Sequence, residues 1–252
     1  MNIDSPTPEQ IPALRTLWHQ AFGDSTAFLD CFFSVGYSAG RSRCLFLDGQ
    51  PISMLYWFDS TWEDQKLAYL YAVATDTAFQ GRGFCQRLMK DTHAHLKEAG
   101  YAGAVLSPGS ASLFTFYQRL GYRAFGPVDQ FACSVGNAPV PLYKCTAEEY
   151  AALRRQYLPK GGIVQEDVTL RFLATQADFY RGEDFLLCGY IEESGFRAEE
   201  LLGNSDAAPG ILNALQLPTG QFRIPGSSTP LAMICPFSPT DTLPTYLGLP
   251  LD

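Results

Sequence analysis

Apolar residues recur at helical spacing from the start of the chain, where Ile11, Leu14, Leu17 and Trp18 make one stripe. Thr7-Pro8-Glu9-Gln10 reads as its capping box with proline in the first turn, and Gly23 closes it. A second helix from Ser25 carries Phe28, Leu29, Phe32 and Phe33. The pattern then changes to strands: 44–47, a turn at 48–51 and 52–58 predict a hairpin, and 66–75 a third strand. Helical spacing returns at Phe84, Leu88, Met89 and Leu96, predicting a helix over 84–99 closed by Gly100. A short buried strand over 101–106, a helix over 112–120 stopped by Gly121, and a strand over 122–133 complete the first half.

Small residues and prolines at 137–141 mark a linker, giving expected domains at 1–138 and 139–252. Thr146-Ala147-Glu148-Glu149 starts another helix, which stops near Pro159. A helix is expected over 168–180, a hairpin over 185–192 and 196–202, a helix over 209–215 and an apolar strand over 231–235. Two helices followed by a hairpin thus occur in both halves, a repetition of order without obvious sequence identity.

Composition narrows the class. No apolar run approaches the ~20 residues of a membrane span, and the first ten residues, with Asp4, Glu9 and two prolines, do not resemble a secretion signal. Seven cysteines without a CxxC pair fit reduced thiols in the cytoplasm. The net charge of −8 divides into −2 over 1–138 and −6 over 139–252. That balance argues against nucleic-acid binding, which needs a basic stripe, and it favours approach of a cation.

The stretch Val73-Ala74-Thr75-Asp76-Thr77-Ala78-Phe79-Gln80-Gly81-Arg82-Gly83-Phe84-Cys85 runs from a strand through a glycine turn into a helix. Backbone N–H groups and a helix dipole then face one point, where an anion is favoured. The glycines allow a pyrophosphate to approach the backbone, and Arg82 adds charge-assisted contacts. No Gly-Lys-Ser/Thr follows Gly83, against a nucleoside-triphosphate loop, and Gln86 stands where a dinucleotide fold needs its third glycine. His93 and His95 lie two residues apart, about 200° around a helix, so they make no metal pair and are expected at the surface. No metal site is expected, and no Ser/His/Asp nucleophile arrangement is identifiable.

Gln80-Gly81-Arg82-Gly83-Phe84-Cys85 resembles the Gln/Arg-x-x-Gly-x-Gly/Ala motif of the GCN5-related N-acetyltransferase (GNAT) superfamily, with Cys85 in the last small-residue slot. Phe116-Tyr117-Gln118-Arg119-Leu120-Gly121-Tyr122 resembles that superfamily's second signature, with Ser110 where Asn is common. The resemblance implies an α/β fold: a mixed sheet flanked by helices, splayed between strands 66–75 and 101–106, with the second domain a smaller, degenerate copy as in tandem-GNAT proteins. It implies acetyl-CoA as co-substrate, with pantetheine on the backbone of Val73, Ala74 and Thr75 and pyrophosphate on residues 81–86, so that Gln80, Gly81, Arg82, Gly83, Phe84, Cys85, Gln86 and Ser110 are candidate cofactor residues.

The expected reaction is direct attack by a small-molecule or peptide amine, with Tyr117 protonating the departing thiolate. One backbone N–H at 73–75 would polarise the thioester carbonyl. Tyr69, Tyr71 and Ala72 occupy the strand where many relatives carry a glutamate base, which leaves the base unassigned. The apolar tail 246–252 is expected to dock on the body, and Asp252 is the chain-terminal candidate for that base. A non-catalytic acyl-CoA sensor and a peptide-binding module remain alternatives, Tyr117 has a plain reading as a core aromatic, and Cys85 could hold a lowered thiol pKa. Homodimer formation is left open.

Overall fold

The structure is a computed structural model that describes residues 1–165 and 167–251. In chain order the strands are β1 (Asn2–Asp4), β2 (Ser42–Leu47), β3 (Gln50–Trp62), β4 (Gln65–Thr75), β5 (Gly103–Leu106), β6 (Arg123–Ser134), β7 (Tyr143–Cys145), β8 (Val164–Gln165), β9 (Asp178–Arg181), β10 (Phe185–Glu192), β11 (Gly195–Gly203), β12 (Thr219–Pro225) and β13 (Thr229–Pro236). The helices are α1 (Ile11–Phe22), α2 (Thr26–Cys31), α3 (Phe84–Glu98), α4 (Ala111–Gln118), α5 (Ala147–Tyr157), α6 (Val168–Leu173) and α7 (Ala208–Leu215).

Local chemistry sets most of these limits. Gln10 Oε1 accepts from the Thr7 N–H at 2.9 Å, and a 3-10 turn over Pro8–Gln10 leads into α1. Gly23 ends α1 with φ 76°, a conformation in which a Cβ would be strained. Ser25 Oγ caps α2 by accepting from Phe28 N. Thr146 and Glu149 form the reciprocal capping box of α5. The β2–β3 hairpin turns on Asp48 and Gly49, both at positive φ, as a two-residue loop matched to strand twist requires.

Among the described residues the strands form one mixed sheet in the order β1-β2-β3-β4-β5-β13-β6-β12-β11-β10-β9-β7, with β8 on β3. β13, late in the second half, runs antiparallel between β5 and β6, while β6 pairs on its other side with β12. Each half therefore lays its last long strand across the middle of the sheet, next to the other half's parallel pair. One face is covered by α1, α2, α5, α6 and the tail, which share a core. The opposite face carries α3 and α4 over the first half and α7 over the second.

The helix expected over 168–180 ends at Leu173, and β9 follows. Phe179 stacks on Tyr150 of α5 at 4.3 Å and pairs with Cys188 of β10, so tertiary packing overrides the local helical pattern there. The chain over 137–141 has no regular structure, as expected of a connector. No helix of the described residues is long and apolar enough to cross a membrane.

Candidate active site

β4 is the strand on which the site is built. It pairs in parallel with β5 only at Leu67, Ala68 and Tyr69, opposite Gly103, Ala104 and Val105, and then departs from it. On its other edge the register with β3 slips, Met54 facing Ala74 but Tyr56 facing Tyr71. The extra residue is in this bulge, where Ala72 has φ 49°. A bulge leaves ladder hydrogen bonds unmade and bends the strand, so residues 72–75 offer backbone groups to the opening beside β5. The bulge was missed by sequence reasoning, because no single residue type encodes a slip between two strands.

Beyond β4, Asp76 Oδ1 accepts from Ala78 N at 2.8 Å, and Gln80 Nε2 donates to Thr75 O at 3.0 Å. Gln80 therefore fastens the loop back to the strand. Gly81 and Gly83 hold φ 73° and 78°, and open space lies where a Cβ of either would stand. Gly83 is the N-cap of α3, and its carbonyl takes the Arg87 N–H. The amides of Phe84, Cys85 and Gln86 thus begin the helix without intrahelical acceptors, a cradle for oxyanions. Arg82 is exposed and lies over the Phe79 ring at 5.5 Å. Val73 and Phe84 pack partly buried into the core under α3, while Ala74 is buried on the other face.

Burial pushes the Cys85 thiol up to about 11, against a hydrogen bond to Thr75 that lowers it. It is therefore a protonated filler and no nucleophile, despite its place at a helix N-terminus. Thr75 Oγ1 also meets Ser53 Oγ at 2.8 Å, tying β4 to β3. Ser110 is exposed and pairs with Ser112 Oγ at 3.0 Å, without capping α4 through its side chain.

Tyr117 projects from α4 with 7% exposure, its ring 5.5 Å from Tyr122. Burial first, and the nearby Cys85 second, raise its pKa, so the phenol stays protonated. Its hydroxyl makes no hydrogen bond to the protein among the described residues. Tyr122 OH in turn meets His93 Nε2 at 2.7 Å. Burial pushes His93 down to about 4, which corrects the surface placement expected of it. His95 lies against Trp57 instead, ring centroids 6.1 Å apart.

On the opposite face of β4 stands an aromatic wall. Tyr71 is half-buried and packs against Trp18, Phe32, Phe58 and Phe172 at 5.5–6.0 Å. The tail reaches this face, where Leu251 N donates to Tyr69 OH at 3.0 Å. Tyr246, Leu247, Leu249 and Leu251 are buried, which accounts for the apolar end of the chain. Asp252 lies outside the described residues. β4 itself, Gln65–Thr75, carries no carboxylate.

A mixed sheet opened between two parallel strands, with a glycine-rich helix start at one end of the opening, defines the acyltransferase fold of the GNAT type. Residues 2–125 match the acetyltransferase (GNAT) domain model. The N-terminal half of this chain is an acetyltransferase domain of that family.

Solved structures extend the likeness in fold to the second half. A GCN5-related N-acetyltransferase from Kribbella flavida is 14% identical with a TM-score of 0.69, the match covering 92% of this chain and 71% of that one. Eis1 from Mycobacterium abscessus is 12% identical at 0.67, with 94% and 74% covered. A GCN5-related N-acetyltransferase from Anabaena variabilis is 16% identical at 0.67, with 92% and 72% covered. No curated protein sequence matches the chain.

Proposed function

We propose that this protein transfers an acetyl group from acetyl-CoA to an amine by direct attack. The observation that carries the reading is that the β4 opening, the Ala72 bulge and the Gly81–Gly83 cradle lie in line, with the protonated Tyr117 packed beside Cys85 at the start of α3. The residues present fit the co-substrate, because the positive-φ glycines leave their Cβ positions open beside the uncapped amides of α3. Acetyl-CoA supplies an activated acyl thioester.

The chain's residues do the rest. The backbone of Val73, Ala74 and Thr75 holds an extended amide-bearing arm by strand-like hydrogen bonds. An N–H next to the bulge polarises the carbonyl oxygen. As the amine nitrogen bonds to the acyl carbon and the C–S bond breaks, Tyr117 donates its proton to the sulfur. The amine's own proton leaves through water, since β4 offers no carboxylate; Asp252 remains the chain-terminal alternative.

We place the second half as a degenerate copy, with the domains at 1–138 and 139–252, that shapes the acceptor side and binds no cofactor. Support comes from its parallel β11–β12 pair joined by α7, which repeats β4–α3–β5. The acceptor is a small-molecule or peptide amine, and the seven free cysteines support a cytoplasmic site of action.

A second reading, a non-catalytic acyl-CoA sensor, draws on the base-free β4. Calorimetric titration with acetyl-CoA followed by CoA release over a panel of amines tests both. Binding with release supports the enzyme, binding without release supports the sensor, and no binding ends both.

A further inference from the structure

A cleft of about 390 Å³ lies at the far end of β4 from the glycine loop. Its walls come from both halves: Arg41 before β2, Asp59 to Thr61 at the end of β3, Lys66 at the start of β4, and β8 and α6 from the second half. Nine residues separate Lys66 from Thr75, roughly 30 Å of strand, so the cleft is distinct from the acyl-transfer opening. Its volume falls in the range of small-molecule sites.

Three cations, Arg41, Lys66 and Arg171, line it within a chain of net charge −8. Their counter-charge is thin. Asp59 is shared by Arg41 at 3.8 Å, Lys66 at 3.5 Å and the Tyr101 hydroxyl at 2.5 Å. Arg171 has a loose contact with Asp167 at 3.9 Å, and that carboxylate is 87% exposed. Arg41 Nε is buried and has no hydrogen-bond partner among the described residues. A buried guanidinium N–H left unpaired is costly, and an oxyanion is the acceptor that guanidinium geometry fits best.

We propose that this cleft binds a small molecule carrying an oxyanion, phosphate or carboxylate, held by Arg41, Lys66 and Arg171. The site is independent of the acetyl-transfer reading. It bears on that face of the molecule all the same, because Phe172, next to Arg171 on α6, stacks on Phe58 at 5.8 Å and meets Tyr71 at 6.0 Å. A ligand bridging Arg171 to Arg41 and Lys66 fastens α6, and with it the aromatic wall, to β3 and β4.

The test is thermal unfolding and calorimetric titration of the full chain with inorganic phosphate and, separately, citrate, at constant ionic strength. Saturable binding of either probe that raises the melting temperature is expected, and the probe that binds identifies the oxyanion. Arg41→Gln and Arg171→Gln should each weaken it about tenfold, the loss of one charge-assisted contact, with acetyl-CoA affinity unchanged as the check on folding. Should Arg41→Gln fold poorly, Arg171→Gln alone decides, since that side chain is half exposed. No saturable binding of either probe, or equal binding by the folded double variant, would overturn the proposal.

Discussion

β4 and β11 occupy matching places in the two halves and have opposite fates. Each pairs in parallel with its neighbour over three residues and then departs, β4 from β5 after Tyr69 and β11 from β12 after Ala198. Each also carries a bulge on the hairpin side, since Cys188 faces Glu200 while Gly189 faces Ala198. In the first half the departing strand presents Ala72, Val73, Ala74 and Thr75, all small or apolar. In the second it presents Glu199 and Glu200, and both are tied up. Arg223 of β12 reaches across to Glu199 Oε2 at 2.5 Å, and Arg154 of α5 makes a bidentate pair with the buried Glu200 at 2.8 and 2.9 Å.

The helix starts differ in the same sense. α3 begins on Gly83 with open amides, whereas the turn before α7 is capped by Asn204, carries Asp206, and has Pro209 without an N–H. One scaffold thus supplies a cleft or a strut according to whether ion pairs fill the opening between its parallel strands.

The largest effect is expected from separating the halves. A chain ending at residue 138 loses β13 from between β5 and β6, together with α5, α6 and the tail from the shared core. It should show no cooperative thermal transition by circular dichroism; a folded 1–138 fragment would break the idea of one interlocked sheet. Next, Glu200→Ala leaves Arg154 buried and unpaired, which should cost about 3–5 kcal/mol in denaturant unfolding. A cost below about 1 kcal/mol would be that of a solvent-exposed pair and would deny Glu200 its role as a strut.

Tyr117→Phe removes only a hydroxyl with no described protein partner, so stability and acetyl-CoA affinity should hold while turnover falls about 100-fold. Unchanged turnover would reduce Tyr117 to a packing residue. The smallest effect concerns pH. His93 has a folded-state pKa of about 4 against an ordinary 6.5, so the unfolded chain binds more protons in that window. Stability should therefore decline as pH falls from about 6.5 toward 4, and His93→Asn should flatten that slope. Identical pH profiles for the two proteins would remove His93 as the cause.

Deleting residues 246–252, by contrast, would report on folding more than on turnover. The segment brings Tyr246, Leu247, Leu249 and Leu251 into the core, and the carbonyls of Leu247 and Leu249 accept from Arg154 and Gln165.

The first half was readable where a local rule acts on adjacent residues. The caps at Thr7, Ser25 and Thr146, the stops at Gly23 and Gly100, and the Gln80 to Cys85 loop all reflect backbone geometry within a few positions. The strand at 231–235 was readable as a strand, but its place between β5 and β6 was not, because neighbour choice in a sheet is settled over more than a hundred residues. The Ala72 bulge depends on register with β3, and β9 forms because α5 and β10 accept Phe179. Glu200 looked like one carboxylate in an acidic half until Arg154, 46 residues earlier, was found against it.

Acetyl-CoA stoichiometry tests the contrast between the halves most directly. Calorimetric titration of the full chain should give one acetyl-CoA per chain. Gly83→Val should abolish that binding, and because φ at Gly83 is 78° it should also cost about 1–2 kcal/mol of stability through backbone strain. Two sites per chain, or one site that survives in folded Gly83→Val, would contradict the assignment of the cofactor to the β4 opening and its glycine loop.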